Sequence, residues 1–305
     1  MLDRSVLKGL VERLFASAAA RRFARSRRSN SRLVLAYHNV VASGMRVTGG
    51  DRSLHLPFDH FRVQLDSLNK LNLDVVPLDQ PRSAGGRPEI AITFDDACVG
   101  ALEVGVVELA DRGLPATLFV APGMLGASAP WWDLLSSPSE GVVPHAIREE
   151  ALVELGGDHD AIMRAAASRG WSIGPASSTF RIGTEADLEV ALQRHKALTL
   201  GAHSWSHPNL ARLDATSLSS ELTRPLAWLQ ARWGERVIPW MAYPYGIDSP
   251  AVQAAASKAG YRGALRVRGG WYRAETNPFT ISRYNVAAGT SLLGFEARVA
   301  GLFPS

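Results

Sequence analysis

The sequence predicts an α/β fold, a distorted (β/α)7-type barrel with a helical insertion. Apolar runs of strand length alternate with amphipathic runs of helix length from residue 32 onward. Such alternation implies parallel strands joined by helical crossovers. Six or seven strand–helix units can be counted, enough to close a barrel. The alternation has one long gap, about 75 residues between two strands, and helical patterns fill it.

Taken in order, Leu33–Tyr37 reads as the first strand, and Phe58–Leu71 as an amphipathic helix begun by Pro57. Ile90–Phe94 is a continuous apolar strand, followed by a helix over Leu102–Asp111 that Arg112 and Gly113 close. Ala116–Val120 is the next strand. The gap then carries helical patterns at Ile147–Leu155, Asp160–Ser168 and Glu185–His195. Strands resume at Leu198–Ala202, Val237–Ala242, Gly263–Val267 and Phe279–Tyr284. Helices at Ser217–Trp233 and Pro250–Ala259 lie between them, and Ser291–Ala300 closes the chain. The expected organisation is a basic, partly helical arm over residues 1–31 and one domain over 32–305, with the insertion at about 123–197.

With 46% hydrophobic and 20% charged residues, the chain is an ordinary globular one whose core needs no staple. The lone Cys98 excludes an internal disulfide and with it a disulfide-scaffold protein. Charge is unevenly placed. Residues 1–32 hold nine Lys/Arg against Asp3 and Glu12, or +7, which leaves −3 for the rest of a chain whose total is +4. A slightly acidic body argues against nucleic acid as its partner. In the arm, Val6, Leu7, Leu10, Val11, Leu14 and Phe15 recur at helical spacing among basic residues. It reads either as an amphipathic helix making peripheral contact with an anionic membrane or as a solvated lead-in. It matches a secretory leader poorly, because the Ala16–Ala20 run is short and arginines follow it. No apolar stretch is long enough to span a bilayer. A cytoplasmic or membrane-peripheral location is expected from these features, with an extracytoplasmic one left open.

Chemistry concentrates after the strands. Ala91-Ile92-Thr93-Phe94 runs straight into Asp95-Asp96, and the carboxyl ends of parallel strands are where function gathers. Strand alternation lets the two carboxylates divide labour, one on a metal and one accepting a proton, although Asp96 would also suit a helix N-cap. His203-Ser204-Trp205-Ser206-His207 follows the strand Leu198–Ala202. Histidines at i and i+4 face the same way over one helical turn, and two His with one carboxylate suit a divalent cation, zinc foremost, with a position left for water. Tyr243-Pro244-Tyr245-Gly246 follows the strand ending at Ala242; the turn either aims backbone N–H groups at an oxyanion or merely connects. His38 sits at the end of the first strand, where a lone histidine is structural or catalytic.

Together these motifs, over roughly residues 32–290, resemble the NodB-homology polysaccharide deacetylases (carbohydrate esterase family 4). The resemblance implies a carbohydrate substrate whose N-acetyl groups are hydrolysed. It implies Asp95 as general base, Asp96, His203 and His207 as ligands of a divalent metal, zinc by preference, and the Tyr245 N–H as an oxyanion donor. Two features depart from the usual pattern. Ala242 stands where an arginine orients the base, and no histidine follows His207. A circularly permuted subgroup, which includes deacetylases of poly-N-acetylglucosamine, is similar to this chain in both respects. It implies His38 as general acid, and Arg283 is the candidate for the missing arginine. An O-acetyl ester or another non-peptide C–N bond as substrate, or an inactive sugar-binding protein, remain as alternatives. Most members of the family act outside the cytoplasm.

Other residues carry less. Trp131 and Trp132 read as insertion core or as sugar-stacking platforms, and Trp205 equally as either. Cys98 reads as a small structural residue. His55, His60, His145, His159 and His195 lack partner spacing and read as surface or satisfied side chains.

Overall fold

The computed structural model of the chain describes residues 30–81 and 87–302. The arm expected over residues 1–31 therefore lies outside the described residues, apart from Asn30 and Ser31.

The elements follow in order as β1 (Arg32–Tyr37), β2 (Asn39–Val41), β3 (His55–Pro57), α1 (Phe58–Lys70), β4 (Asp74–Val75), β5 (Glu89–Phe94) and α2 (Val106–Asp111). Then come β6 (Ala116–Val120), α3 (Trp131–Leu134), α4 (His145–Val153), α5 (His159–Arg169), α6 (Glu185–Arg194) and β7 (Leu198–Ala202). The chain closes with α7 (Ala215–Trp233), β8 (Val237–Ala242), α8 (Pro250–Lys258), β9 (Gly263–Arg266), β10 (Ile281–Asn285) and α9 (Leu292–Val299).

Seven strands close a barrel, β1-β10-β9-β8-β7-β6-β5, with β5 returning to β1, and every pairing is parallel. β1 and β5 pair along their whole length, from Arg32 opposite Glu89 to Tyr37 opposite Phe94. On its other edge β5 pairs with β6 only near its end, at Thr93 and Phe94, and the short β4 takes the start of that edge. This splaying is what distorts the barrel. One cluster of Val34, Ala91, Phe119, Ile238, Leu265 and Ile281 draws on six strands and fills the interior. The opposite strand faces, with Leu33, Leu35, Ile90, Ile92, Leu118 and Leu200, form the main core with the outer helices, as period-two alternation requires.

Arg32, counted with the basic arm in the sequence, is part of the barrel. It is buried, and its guanidinium donates to Glu89 Oε2 at 2.7 and 2.9 Å and to the carbonyls of Leu78 and Gln80. The helix expected over Leu102–Asp111 is interrupted: a π-type turn at Ala101–Gly105 precedes α2. Helix α6 opens with a reciprocal capping box between Thr184 and Asp187 and packs Leu188, Ala191 and Leu192 into the main core. It therefore serves as an outer barrel helix. Helices α3, α4 and α5 instead build a satellite core around Trp131, Trp132, Leu152 and Ile162, which Tyr245 and Ile247 join from the barrel side. No helix among the described residues is long and apolar enough to cross a membrane.

Candidate active site

Because all seven barrel strands run the same way, their carboxyl ends form one ring. His38 follows β1, Asp95 and Asp96 follow β5, His203 and His207 follow β7, Tyr245 follows β8, and Arg283 lies within β10. A cleft of about 360 Å³ opens there, lined by His38, Asp95, Asp96, His203, His207 and Tyr245 among others. That volume sits at the small end of the range of about 300–1,000 Å³ typical of ligand pockets.

Among the described residues seven non-glycine ones have positive φ, and five of them are at this ring: Asp96, Ala97, Ser204, His207 and Tyr245. Left-handed backbone is costly for such residues and persists where the surroundings impose it, above all at functional sites. The positive φ has direct consequences here. Strand alternation would send Asp96 to the side opposite Asp95, but a φ of 68° at Asp96 turns the chain so that both carboxylates line the cleft. Asp96 is not the cap of the helical turn that follows, whose N-cap is Gly100, and its buried Oδ1 has no hydrogen-bond partner. The two histidines do not share a helical turn either; residues 203–207 form a loop. Ser204 and His207 take φ of 58° and 62°, and Ser204 Oγ accepts from the His207 N–H at 3.0 Å. Glu221 of α7 pins this loop from outside, accepting from the N–H groups of Trp205 and Ser206 at 2.8 and 2.9 Å and from the Ser206 hydroxyl.

The result is a converging donor set. His203 Nδ1 donates to the Ala242 carbonyl at 2.7 Å, which leaves the lone pair on Nε2. His203 Nε2 and His207 Nε2 are 3.1 Å apart, and they lie 3.5 and 3.4 Å from Asp96 Oδ1. All three side chains are buried. Burial pushes the Asp96 carboxyl well above its ordinary range, and the negative charges of Asp95 and Asp133 add to it. Burial also lowers both imidazoles, with His203 reinforcing the effect on His207. Lone pairs crowded around an orphaned carboxylate oxygen are unfavourable by themselves and suit a shared cation. Asp96, His203 and His207 are the one group among the described residues that meets the geometry of a metal site.

Beside this set, Arg283 forms a paired contact with Asp95. Nη1 donates to Oδ1 and Nη2 to Oδ2, both at 2.7 Å, and Nη1 also reaches Thr93 Oγ1 at 3.3 Å. Arg283 is fully buried. Burial by itself would raise the Asp95 carboxyl, but the Arg283 guanidinium, His203 and His38 outweigh it and hold Asp95 well below the usual range. Asp95 Oδ2 lies 4.0 Å from His203 Nε2, so the pair borders the donor set. Burial lowers His38 to about 4, partly opposed by Asp95.

Aromatic side chains wall the cleft. Tyr245 stands edge-on to the His207 ring at 4.6 Å, and Trp132 contacts it at 4.9 Å. Tyr245 Oη accepts from Trp131 Nε1 at 2.9 Å and donates to the Gly157 carbonyl at 3.2 Å, which ties the β8 turn to the insertion. Trp205 lies elsewhere, with the Arg224 guanidinium over its ring at 3.9 Å. His55 and His195 are satisfied: His55 bridges Asn39 and Asp133, and His195 meets the Leu114 carbonyl. His60 and His145 are exposed. Cys98 is buried in the main core. Glu221 and the Asn39–His55–Asp133 network are the parts of the site and its support that the sequence did not single out.

A parallel barrel with converging His, His and Asp side chains and an arginine-paired aspartate at its strand ends defines the chain as an α/β barrel with a candidate metal centre. Residues 82–264, well over half of the chain, match the family model for polysaccharide deacetylase, and the chain belongs to that family. The matched span holds Asp95, Asp96, His203, His207 and Tyr245; His38 and Arg283 lie on either side of it. No curated protein matches the sequence. Among solved structures, the fold is similar to the deacetylase PplD of Streptococcus pyogenes, with a TM-score of 0.60, 14% identity and coverage of 89% of this chain and 99% of that one. IcaB of Ammonifex degensii superposes with a TM-score of 0.58 at 16% identity, covering 90% and 98%. A de-N-acetylase of Aggregatibacter actinomycetemcomitans gives a TM-score of 0.60 at 14% identity, covering 87% and 98%.

Proposed function

We propose that the chain is a metal-dependent N-deacetylase of an N-acetylated glycan. The observation that carries this is the buried, partnerless Asp96 Oδ1 between two imidazole Nε2 atoms, 3.4 and 3.5 Å away, next to the Asp95–Arg283 pair. Asp96, His203 and His207 would hold the cation, zinc by preference. When bound, such a cation supplies Lewis acidity, acidifying water and polarising the acetyl carbonyl.

The remaining work falls to the chain itself. Asp95 takes the proton of the attacking water on Oδ2, the oxygen nearer the donor set, while Arg283 fixes the carboxylate plane. The turn at Tyr245 offers its backbone N–H to the developing oxyanion. His38, on the same cleft, protonates the sugar nitrogen as the C–N bond breaks; an amide needs this more than an ester does, because an unprotonated nitrogen is a very poor leaving group. The proton balance closes if the proton released by water passes from Asp95 to His38 and leaves on the amine. Trp132 and Tyr245 keep bulk water from the His207 side.

Acetate release from chitooligosaccharides and from acetylated xylan, with and without chelator, tests the proposal. Release from the chitooligosaccharides that chelator abolishes, and that D96N and H207A both lack, is expected. Release that survives in either variant excludes this site, and release from xylan alone moves the reading to O-acetyl esters.

A further inference from the structure

The cleft also holds polar groups that acetamide chemistry does not use. Asn285, the last residue of β10, lines it with Oδ1 buried and without a hydrogen-bond partner. Arg148, on α4 of the insertion, lines it as well and is half-buried. Its guanidinium has no ion pair or hydrogen bond among the described residues. The same insertion presents apolar side chains to the cleft, from Trp132, Val142 and Val143.

A partly desolvated cation beside apolar walls is unfavourable unless an anion answers it. The carboxylates of the cleft are engaged elsewhere. Asp95 is paired with Arg283, Asp96 faces the imidazoles, and Asp51 accepts from the N–H and hydroxyl of Ser53. Arginine's planar fork suits carboxylate and phosphate oxygens in particular. Arg148 and Tyr245 line the same cleft of about 360 Å³ as Asp96, His203 and His207, so an anion held by Arg148 would share that cleft with the reacting acetamide.

We propose that Arg148 is a specificity-determining residue that binds an anionic group of the glycan, a sugar carboxylate or a phosphate, next to the acetamido unit. Asn285 accepts a hydroxyl of that unit and fixes its orientation. The assignment rests on the deacetylase reading for the placement of the acetamide, and it makes the substrate an acidic glycan, with the insertion selecting for charge.

Calorimetric binding to the zinc-loaded full chain tests it with two charged probes. One is a tetrasaccharide alternating N-acetylglucosamine with glucuronic acid, and the other is N-acetylglucosamine 1-phosphate; each is matched with a neutral N-acetylglucosamine saccharide of equal length. At least one charged probe should bind about tenfold tighter than its neutral match, and which one does so separates carboxylate from phosphate. R148Q should bring that ratio close to one, and R148K should keep part of it. N285A should weaken charged and neutral probes alike. Equal binding of charged and neutral probes by the wild type, or a ratio unchanged in R148Q, overturns the assignment; a loss confined to charged probes in N285A moves the anion site away from Arg148 and overturns it too. Acetate release is followed in parallel. Charge preference without any release counts against the deacetylase reading and leaves the Arg148 site standing.

Discussion

Replacing Arg283 with methionine keeps much of the side-chain volume and removes the only cation paired with Asp95 among the described residues. Arg283 is fully buried and Asp95 is 2% exposed, so neither group can recover water. Two hydrogen bonds at 2.7 Å disappear. At about 1.5–3 kcal/mol for each bond to a charged group, the loss is about 3–6 kcal/mol. Breaking a buried ion pair from one side costs about 3–5 kcal/mol by a separate route, so both lines of reasoning place R283M about 3–5 kcal/mol below the wild type. That is a fifth or more of the stability of an ordinary domain, about 5–15 kcal/mol. Urea unfolding of metal-free protein at neutral pH measures it. The companion variant D95N removes the stranded charge. D95N/R283M should therefore lose clearly less than the two single losses combined, a coupling of about 1–3 kcal/mol. A loss under about 1 kcal/mol in R283M, or strict additivity in the double variant, would refute the claim that the pair is a desolvated unit.

Other expectations follow from the same geometry. H38A should lower acetate release from an N-acetyl sugar by about 10²–10⁴-fold while costing far less on an activated acetate ester, whose leaving group needs no proton; equal losses on both would remove His38 from the acid role. E221A frees the N–H groups of Trp205 and Ser206, so the histidine loop should loosen and zinc affinity fall about 10–100-fold in a competition titration with a chelating dye. T184A breaks the capping box of α6 and should cost about 1 kcal/mol in urea unfolding without changing zinc affinity.

The barrel was legible because its signals are local. Most of the longer strands are built on an apolar run, and the observed strands start and end within a residue or two of the expected ones; the run expected at Phe279–Tyr284 appears as Ile281–Asn285, with Ser282, Arg283 and Asn285 within it. The two- and three-residue strands β2, β3 and β4 left no pattern, since strands so short show no periodicity. The π-type turn before α2 was invisible for a similar reason: its residues fit a helical pattern. In the site, the residues of the adjacent pairs and motifs were readable, but the way they converge was not. Helical spacing suggested one face for His203 and His207, whereas left-handed residues and the Glu221 clamp bring them together. Arg283 entered through family resemblance, because a partner 188 residues from Asp95 leaves no local trace. Arg148 and Glu221 drew no notice for the same reason, each being an unremarkable charged residue on a helix until the fold sets it beside the cleft or the loop.

Titrating metal-free full-length chain with zinc while following acetate release from a chitooligosaccharide addresses the central claim most directly. Activity should rise linearly and stop at one zinc per chain, and D96N should neither bind that equivalent tightly nor release acetate. Full release from the metal-free chain, or a D96N chain that still takes up one tightly held zinc, would contradict the assignment of Asp96, His203 and His207 to a single catalytic cation.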